Sequence, residues 1–409
     1  MMGNNNYNEL KKIDVSVVRV VSVFYPTKGG SVTHVIELTK QIQPFLKNQI
    51  IICPYTKEEH RSFDMSFCTD IKRIMSKLFI KSKFPGISII NNIYYSVNVV
   101  NELKKLVEDE CQIDIVQVHA IDLGLFIIFV SKINGIDIPI IIMQHGSPIE
   151  IGNNTKRAAL MRIIRELMLK HFRPAYYLQL DDGTLDGNFL SRLKNYNVKC
   201  KILSHAIDTA FYCPAESQVS KNEFIILSNH TLSSFKRVDL TIQAFKKFME
   251  KIGDENKKNL FLKIVGSGSM SDELKQMVNN YNLTDNVIFC GEKSIAETKS
   301  EIISSDIVVG TSLISNMNRS IQEAMSCEKP VVIFDNNKNG IFIHLQNAIL
   351  VNSGDTDDFA DKIKLLYENQ NLRKQIGKNA RNSIIQSRNW NFRLSQELEV
   401  YSEILNTKL

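Results

Sequence analysis

"DIVVGTSLISNMNRSIQEAMSCEKPVVIFD", residues 306–335, holds the parts of one folding unit. "DIVVG" is a short apolar run bounded by turn residues. "QEAMSC" reads as the end of a helix, and "PVVIFD" is a second apolar run of the same kind. Two buried runs separated by one helix predict neighbouring parallel strands joined by a crossover. Glu323 sits in that helix among small neighbours, so its carboxylate is expected to face a cleft. The preceding "SNMNR" (315–319) has no acid, no glycine and no aromatic residue. Whether this turn holds a ligand is the question the rest of the chain must answer.

The same rhythm extends in both directions. Upstream, strand-like runs at 15–25, 48–55, 114–120 and 139–146 alternate with helical spacing at 32–46, within "SVNVVNELKKLVEDE", and within "LGLFIIFVSKING". It breaks in the polar, proline-containing stretch "KCKILSHAIDTAFYCPAESQVSKN" (199–222). It then restarts with "EFIILSN", "LFLKIVGSG", "NVIFCG", "DIVVGTS", "PVVIFD" and "AILVNSGD". The expected fold is α/β, with two doubly wound Rossmann-like domains facing a cleft. Residues 1–15 form a loose tail, 16–205 the first domain, 206–385 the second, and 386–409 a closing helix.

Bulk properties fit this picture. A chain of 409 residues is too long for one ordinary core. Its 44% hydrophobic and 23% charged content is that of a globular protein. A net charge of +6 suits a phosphate-bearing ligand or an anionic surface. It is too weak for nucleic acid, and no basic patch interleaved with aromatics is present. The seven cysteines are scattered with no CxxC pair, as expected of incidental thiols in a reducing cytoplasm. No apolar run reaches the ~18 residues of a membrane span, and "MMGNNNYNELKK" lacks the apolar core of a signal peptide.

In doubly wound sheets ligands bind beyond the carboxyl ends of the strands. The first run ends in "FYPTKGGSVTHV", where Gly29 and Gly30 either let a ligand approach a helix start or simply make a tight turn. His119 and His145 each end a strand; a neutral imidazole there can hydrogen-bond a sugar hydroxyl or be a satisfied structural group. No HxH or HExxH spacing points to a metal. In the second domain Lys236 and Arg237 follow a strand and can neutralise a diphosphate, or form an ordinary solvated pair. Gly266, Gly268 and Gly291 also sit at strand ends, with Asp208 and Glu292 in similar places.

The order of "FYPTKGGSVTHVIEL", "SHAIDTAFYCP", "SSFKRVDLTIQAF", "LKIVGSGSMSDELKQMVNNYNLTDNVIFCG", "QEAMSCEKPVV" and "AILVNSGDTDDFADKIKLLYEN" resembles the family 4 glycosyltransferases of the GT-B fold. The resemblance runs from about 16 to 405 and is strongest in the C-terminal half. It implies a nucleotide-diphosphate sugar donor in the C-terminal domain and an acceptor mainly in the N-terminal one. It further implies transfer with retention of configuration and no metal or other cofactor. Lys236 stands at the family lysine. Glu323 matches the second acid of the Glu–seven–Glu motif, which holds the ribose. Gly291 lies where the base stacks, Gly30 near the phosphates, and His145 beside the transferred sugar; His119 falls on the acceptor side. "NWNFRLSQELEVYSEIL" is similar to the final helix that crosses back to the first domain.

Three positions depart from the family pattern. Ser315 replaces the first acid, Thr231 (beside His230) replaces an arginine, and His205–Ala206 replace "NG". Ser315 or Asn316 is expected to cap the Glu323 helix. Arg319 either pairs with Glu323 at i, i+4 or turns toward the ligand as a substitute cation, as Arg237 also can. The stretch "NTKRAALMRIIRELMLKHFRP" (154–174) is a basic amphipathic helix, suited to an anionic membrane or to an ordinary surface. The resemblance thus implies a retaining hexosyltransferase acting on a glycan or lipid-linked acceptor in cell-surface polysaccharide or glycoconjugate synthesis, expected in the cytoplasm, either free or peripheral on the inner membrane face. The alternative is a GT-B-like partner subunit with little activity of its own.

Overall fold

All six residues of Ser16–Val21 are buried, which only a strand covered on both faces of its sheet can achieve. The computed structural model describes residues 10–26, 30–55, 61–77, 87–146, 156–181, 183, 187–215, 222–336 and 340–406. At 30–31, 61, 87–88 and 156–158 only the backbone is described. Gly29, the stretch 78–86 and residues 1–9 of the tail lie outside the described residues. The chain forms two compact units. One holds residues 1–181, 185–204 and 391–409, and the other 182–184 and 205–390.

The first unit is built on β1 (Ser16–Val21), β2 (Asn48–Pro54), β3 (Asp70–Ile74), β4 (Ile115–His119), β5 (Ile140–Gln144), β6 (Tyr176–Asp181) and β7 (Cys200–Ser204). These lie in the order β3-β2-β1-β4-β5-β6-β7, each parallel to its neighbours. The second unit has β8 (Phe224–Asn229), β9 (Leu260–Val265), β10 (Val287–Gly291), β11 (Ile307–Gly310), β12 (Val331–Asp335) and β13 (Ile349–Asn352). Their order is β10-β9-β8-β11-β12-β13, again all parallel. Each sheet therefore reverses its strand order once, at β1/β4 and at β8/β11. Loops diverge at these points and open a crevice at the carboxyl ends. The outermost strands β3 and β10 are the least buried of their sheets, as edge positions allow.

The core of the first unit joins Val18, Val20, Ile50, Val116 and Val118 to apolar helix faces. The helix Ile121–Ile133 is buried over most of its length between sheet and neighbouring helices, which explains its nearly all-apolar sequence. In the second unit Ile226, Leu262, Ile264, Val309 and Phe334 do the same work with the helices Val238–Glu250 and Thr356–Glu368.

One residue in β1 breaks the apolar pattern. Arg19 is completely buried. An isolated buried charge is costly, so its partners decide whether the strand can exist. The last helix, Trp390–Asn406, supplies them. Glu397 Oε1 lies 3.2 Å from Arg19 Nη1, and Tyr401 Oη accepts from Arg19 Nη2 at 3.1 Å. Gln49 accepts from Arg19 Nε at 3.2 Å, and Gln117 also accepts from the guanidinium. A second guanidinium, Arg393, sits 2.6 Å from Glu397 Oε2. Burial alone would raise the Glu397 carboxyl. The two arginines, with hydrogen bonds from Tyr401 and Gln117, bring it down to about 2. The final helix thus belongs to the first unit from Asn391 on.

Candidate active site

The connection after β8 carries the cations. His230, the first residue beyond the strand, is buried, and its Nε2 lies 3.1 Å from the Val309 carbonyl, to which it donates. Burial and the nearby Lys236 charge push its pKa down to about 3, against a smaller opposing effect of that hydrogen bond. His230 is therefore neutral and cannot replace the arginine missing at Thr231. Lys236 is half-buried. Arg237 takes a left-handed conformation (φ 50°) at the start of the helix Val238–Glu250. Its guanidinium grips Asp239 with Nε–Oδ1 3.0 Å and Nη2–Oδ2 2.8 Å. A bidentate pair of this kind is strong and well oriented, so Arg237 carries a compensated charge.

The glycines after β9 have a steric purpose. A Cβ on Gly266 (φ +129°) would lie 2.1 Å from the His230 carbonyl oxygen, and one on Gly268 2.3 Å from that of Leu232. The backbone is knitted at the same place by Leu232 N to Ser267 O (2.9 Å), Met270 N to Leu232 O (3.0 Å) and Gly266 N to Gly291 O (2.8 Å). Gly266 and Gly291, read from the sequence as candidate ligand positions, are brought together through these bonds. The β8, β9 and β10 loops form one rigid floor at the strand ends.

The turn in question closes the site. The helix Arg319–Ser326 is capped by Asn318, whose side chain accepts from Ile321 N at 3.2 Å. This corrects the expectation that Ser315 or Asn316 is the cap. Those two residues tie the loop to itself instead. Asn316 Nδ2 donates to Ser312 O and Phe334 O, both at 2.9 Å, and Ser315 Oγ accepts from Met317 N at 3.2 Å. Ser315, Asn316 and Met317 are buried. Gly183 (φ +79°) presses on this loop: a Cβ there would meet Ser315 Oγ at 2.3 Å and Met317 Cγ at 3.0 Å. The position of the absent acid is thus occupied by a small side chain wedged under a glycine backbone.

Glu323 is buried in the middle of its helix, with Oε1 accepting from Arg319 Nε at 2.7 Å. Of the two readings for Arg319, the i, i+4 pair is the one observed. Asp208 serves its own turn, accepting from Ala210 N and Phe211 N at 3.1 and 2.9 Å.

In the first unit Gly30 opens the helix Gly30–Ile42. His119 and His145 meet directly, with Nδ1 of His119 3.0 Å from Nε2 of His145. The ring of His34 stands edge-on to His145 at 5.2 Å. The sequence reading missed His34 because it sits unremarkably inside a helical pattern. Its only signal is its place one turn beyond Gly30, on the helix that follows the glycine pair.

Two parallel sheets, each with one strand-order reversal and with glycine floors and charged groups at the strand ends, define the class: a two-unit α/β protein of the GT-B fold. Anabaena Alr3699/HepE in complex with UDP superposes with a TM-score of 0.72 and 16% identity, over 95% of this chain and 100% of that one. Sucrose-phosphate synthase from Thermosynechococcus elongatus superposes with a TM-score of 0.74 and 14% identity, over 96% and 100%. At such identities the likeness concerns the fold. Residues 214–383 match the model of the family "Glycosyl transferases group 1". That match spans 170 of the 409 residues, within the second unit, which is thus similar to the glycosyltransferases of this family. The glycosyltransferase MJ1178 of Methanocaldococcus jannaschii is 24% identical over 369 residues, 89% of this chain and 92% of that protein. The match to MJ1069 of the same organism is 26% identical over 188 residues, 46% of this chain and 47% of that protein. The poly(ribitol-phosphate) alpha-N-acetylglucosaminyltransferase of Staphylococcus aureus is 32% identical over 161 residues, 37% of this chain and 30% of that protein.

The packing at Ser315 makes a prediction. Ser315→Glu, which writes back the family acid, is expected to lower stability by about 1–3 kcal/mol through overpacking, read as a lower urea midpoint. An unchanged midpoint would show that the space under Gly183 is open.

Proposed function

We propose that this chain transfers a hexose from a nucleotide-diphosphate sugar to a glycan or lipid-linked acceptor, with retention of anomeric configuration and without a metal or other cofactor. The observation that carries the reading is the group-1 match over 214–383, which falls on the unit where Glu323, Lys236 and the Gly266–Gly291 floor sit at strand ends. In this reading Glu323 orients the nucleotide ribose and the floor ending at Gly291 supports the base. As the anomeric C–O bond breaks, charge grows on the diphosphate. Lys236 and the first amides of the helix Arg319–Ser326 stabilise it. Arg237 and Arg319 add to the field but stay tied to Asp239 and Glu323. Gly29, Gly30 and His145 serve the donor from the first unit, and His119 lies on the acceptor side. The acceptor hydroxyl attacks from the face that the leaving group vacates. Because HepE was crystallised with UDP and with UDP-glucose, uridine-linked sugars are the first donors to test.

A second reading is a partner subunit with little activity of its own. It is favoured by the two ion pairs that hold Arg237 and Arg319 and by the wedged Ser315. Calorimetric titration with UDP, GDP and ADP addresses the binding half of the problem. Glu323→Ala is expected to weaken the preferred nucleotide at least about tenfold, an interaction worth about 1.4 kcal/mol or more. Equal affinity of the two proteins would remove Glu323 from the ribose site.

We further infer that the first unit rests on an anionic membrane, in a cytoplasmic setting. The helix Lys156–His171 exposes Leu160, Ile163 and Leu167 (48, 58 and 55% accessible) at helical spacing, with Arg162 and Lys170 exposed beside them. Such a stripe suits an interface where apolar side chains enter the headgroup boundary and cations meet anionic lipid. No helix among the described residues is long and apolar enough to cross a membrane. Co-sedimentation with phosphatidylglycerol vesicles should be strong at low salt and largely lost in a Leu160→Ser, Ile163→Ser, Leu167→Ser variant. Equal sedimentation of the two would exclude this face.

A further inference from the structure

The histidine pair of the first unit has a proton arrangement that can be worked out from its surroundings. His119 ends β4 and His145 follows β5. Their rings stack with centroids 5.4 Å apart and planes 27° from parallel. The contact between them is His119 Nδ1 to His145 Nε2, at 3.0 Å. The groups around the pair are His34 from the helix Gly30–Ile42, Arg19 from β1, and Arg393 and Glu397 from the final helix. Burial, the facing ring of His145 and the charges of Arg19 and Arg393 hold His119 far below the usual histidine range. Burial and Arg393 bring His145 down to about 4, against a weaker opposite pull from Glu397. Both rings are neutral at physiological pH.

Two neutral rings in hydrogen-bond contact must differ in role, since one nitrogen of the contact donates and the other accepts. If His119 Nδ1–H donates, His119 Nε2 is a bare lone pair and His145 carries its proton on Nδ1. If His145 Nε2–H donates, His119 must hold its proton on Nε2. That atom is buried and has no hydrogen-bond partner among the described residues. The choice is therefore between burying an orphan acceptor and burying an orphan N–H. Orphan donors are the rarer of the two in folded proteins. The local charge points the same way. Arg19 and Arg393 face a single carboxylate, Glu397, so the surroundings are net positive and disfavour the positive end of an N–H dipole.

We propose that His119 is a positioning residue that donates through Nδ1 and thereby fixes His145 as its Nδ1–H tautomer. His145 then presents a hydrogen-bond donor at the mouth of β5. Its ligand partner is an oxygen accepting through a lone pair, such as a sugar hydroxyl or ring oxygen, and His145 is not a base toward it. The identity of that partner rests on the transferase reading; the tautomer does not.

The test is a long-range 1H–15N correlation spectrum of the full chain labelled with 15N-histidine, at pH 7.5. His145 is assigned by loss of its signals in His145→Gln. The expected wild-type pattern is a protonated Nδ1 and a bare Nε2 for His145. His119→Phe, which removes the donor, should shift His145 to the Nε2–H form that free imidazole prefers, while His119→Asn, with an amide N–H near the place of Nδ1, should retain Nδ1–H. An Nε2–H or doubly protonated His145 in the wild type overturns the proposal, whether or not the variants fold. An unchanged His145 tautomer in folded His119→Phe also overturns it, since His119 would then not set the proton. A chain with the expected tautomer but no affinity for any nucleotide in calorimetry would keep this proposal and sink the transferase reading.

Discussion

A single carboxylate, Glu397, holds the first unit together electrostatically. It lies between two fully buried guanidiniums, Arg19 from the middle of the first strand and Arg393 from its own helix. Desolvating one ion typically costs several kcal/mol, and the cost is offset only when geometry and remaining hydrogen bonds are good. Here Gln49 and Tyr401 take up Arg19 donors that Glu397 does not reach, and Gln117 donates to Glu397. The arrangement fastens the last helix of the chain to the first strand, a span of 378 residues in sequence. It also leaves a net positive charge beside the strand ends. Together with burial, which is the larger effect, that charge keeps His119 and His145 neutral.

The second unit solves a different problem with mostly uncharged means. Its strand-end loops are pressed so close that two glycines are required, and their backbones are cross-bonded. Its two arginines near the strand ends, Arg237 and Arg319, are held in pairs with Asp239 and Glu323. A pre-built floor with fixed dipoles is the kind of arrangement that, in rigid sites generally, stabilises developing charge without first having to order itself. The turn at 315–319 belongs to this rigidity. Asn318 caps the helix, Asn316 staples the loop, and Ser315 fits under Gly183.

Much of this was legible in the sequence, and the exceptions have clear causes. Buried strands announce themselves as apolar runs of fixed length, so the two parallel sheets could be read directly. The departure at Ser315 was visible, but its reason was not, because Gly183 lies 132 positions earlier and only the fold brings the two together. Arg19 interrupts the apolar run "VSVVRVV", and nothing local names Glu397 as its partner. Three polar residues stood before the Glu323 helix, and any could have capped it. Backbone geometry selected Asn318, whose extended conformation (φ −71°, ψ 159°) points its side chain at the first free amides. His34 carried no local sign of its place beside His145, since a histidine in a helical pattern is ordinary until the fold sets another ring against it.

The central claim is that the purified chain, by itself, moves sugar from a nucleotide-diphosphate donor with retention. The direct measurement is turnover of UDP-, GDP- and ADP-linked hexoses against glycan and lipid-linked acceptors, in the presence of a chelator, with product anomeric configuration read by NMR. The account predicts turnover of one donor class, insensitive to chelation, yielding a product with the donor's anomeric configuration. An inverted product, or transfer only after a second protein is added, would contradict it.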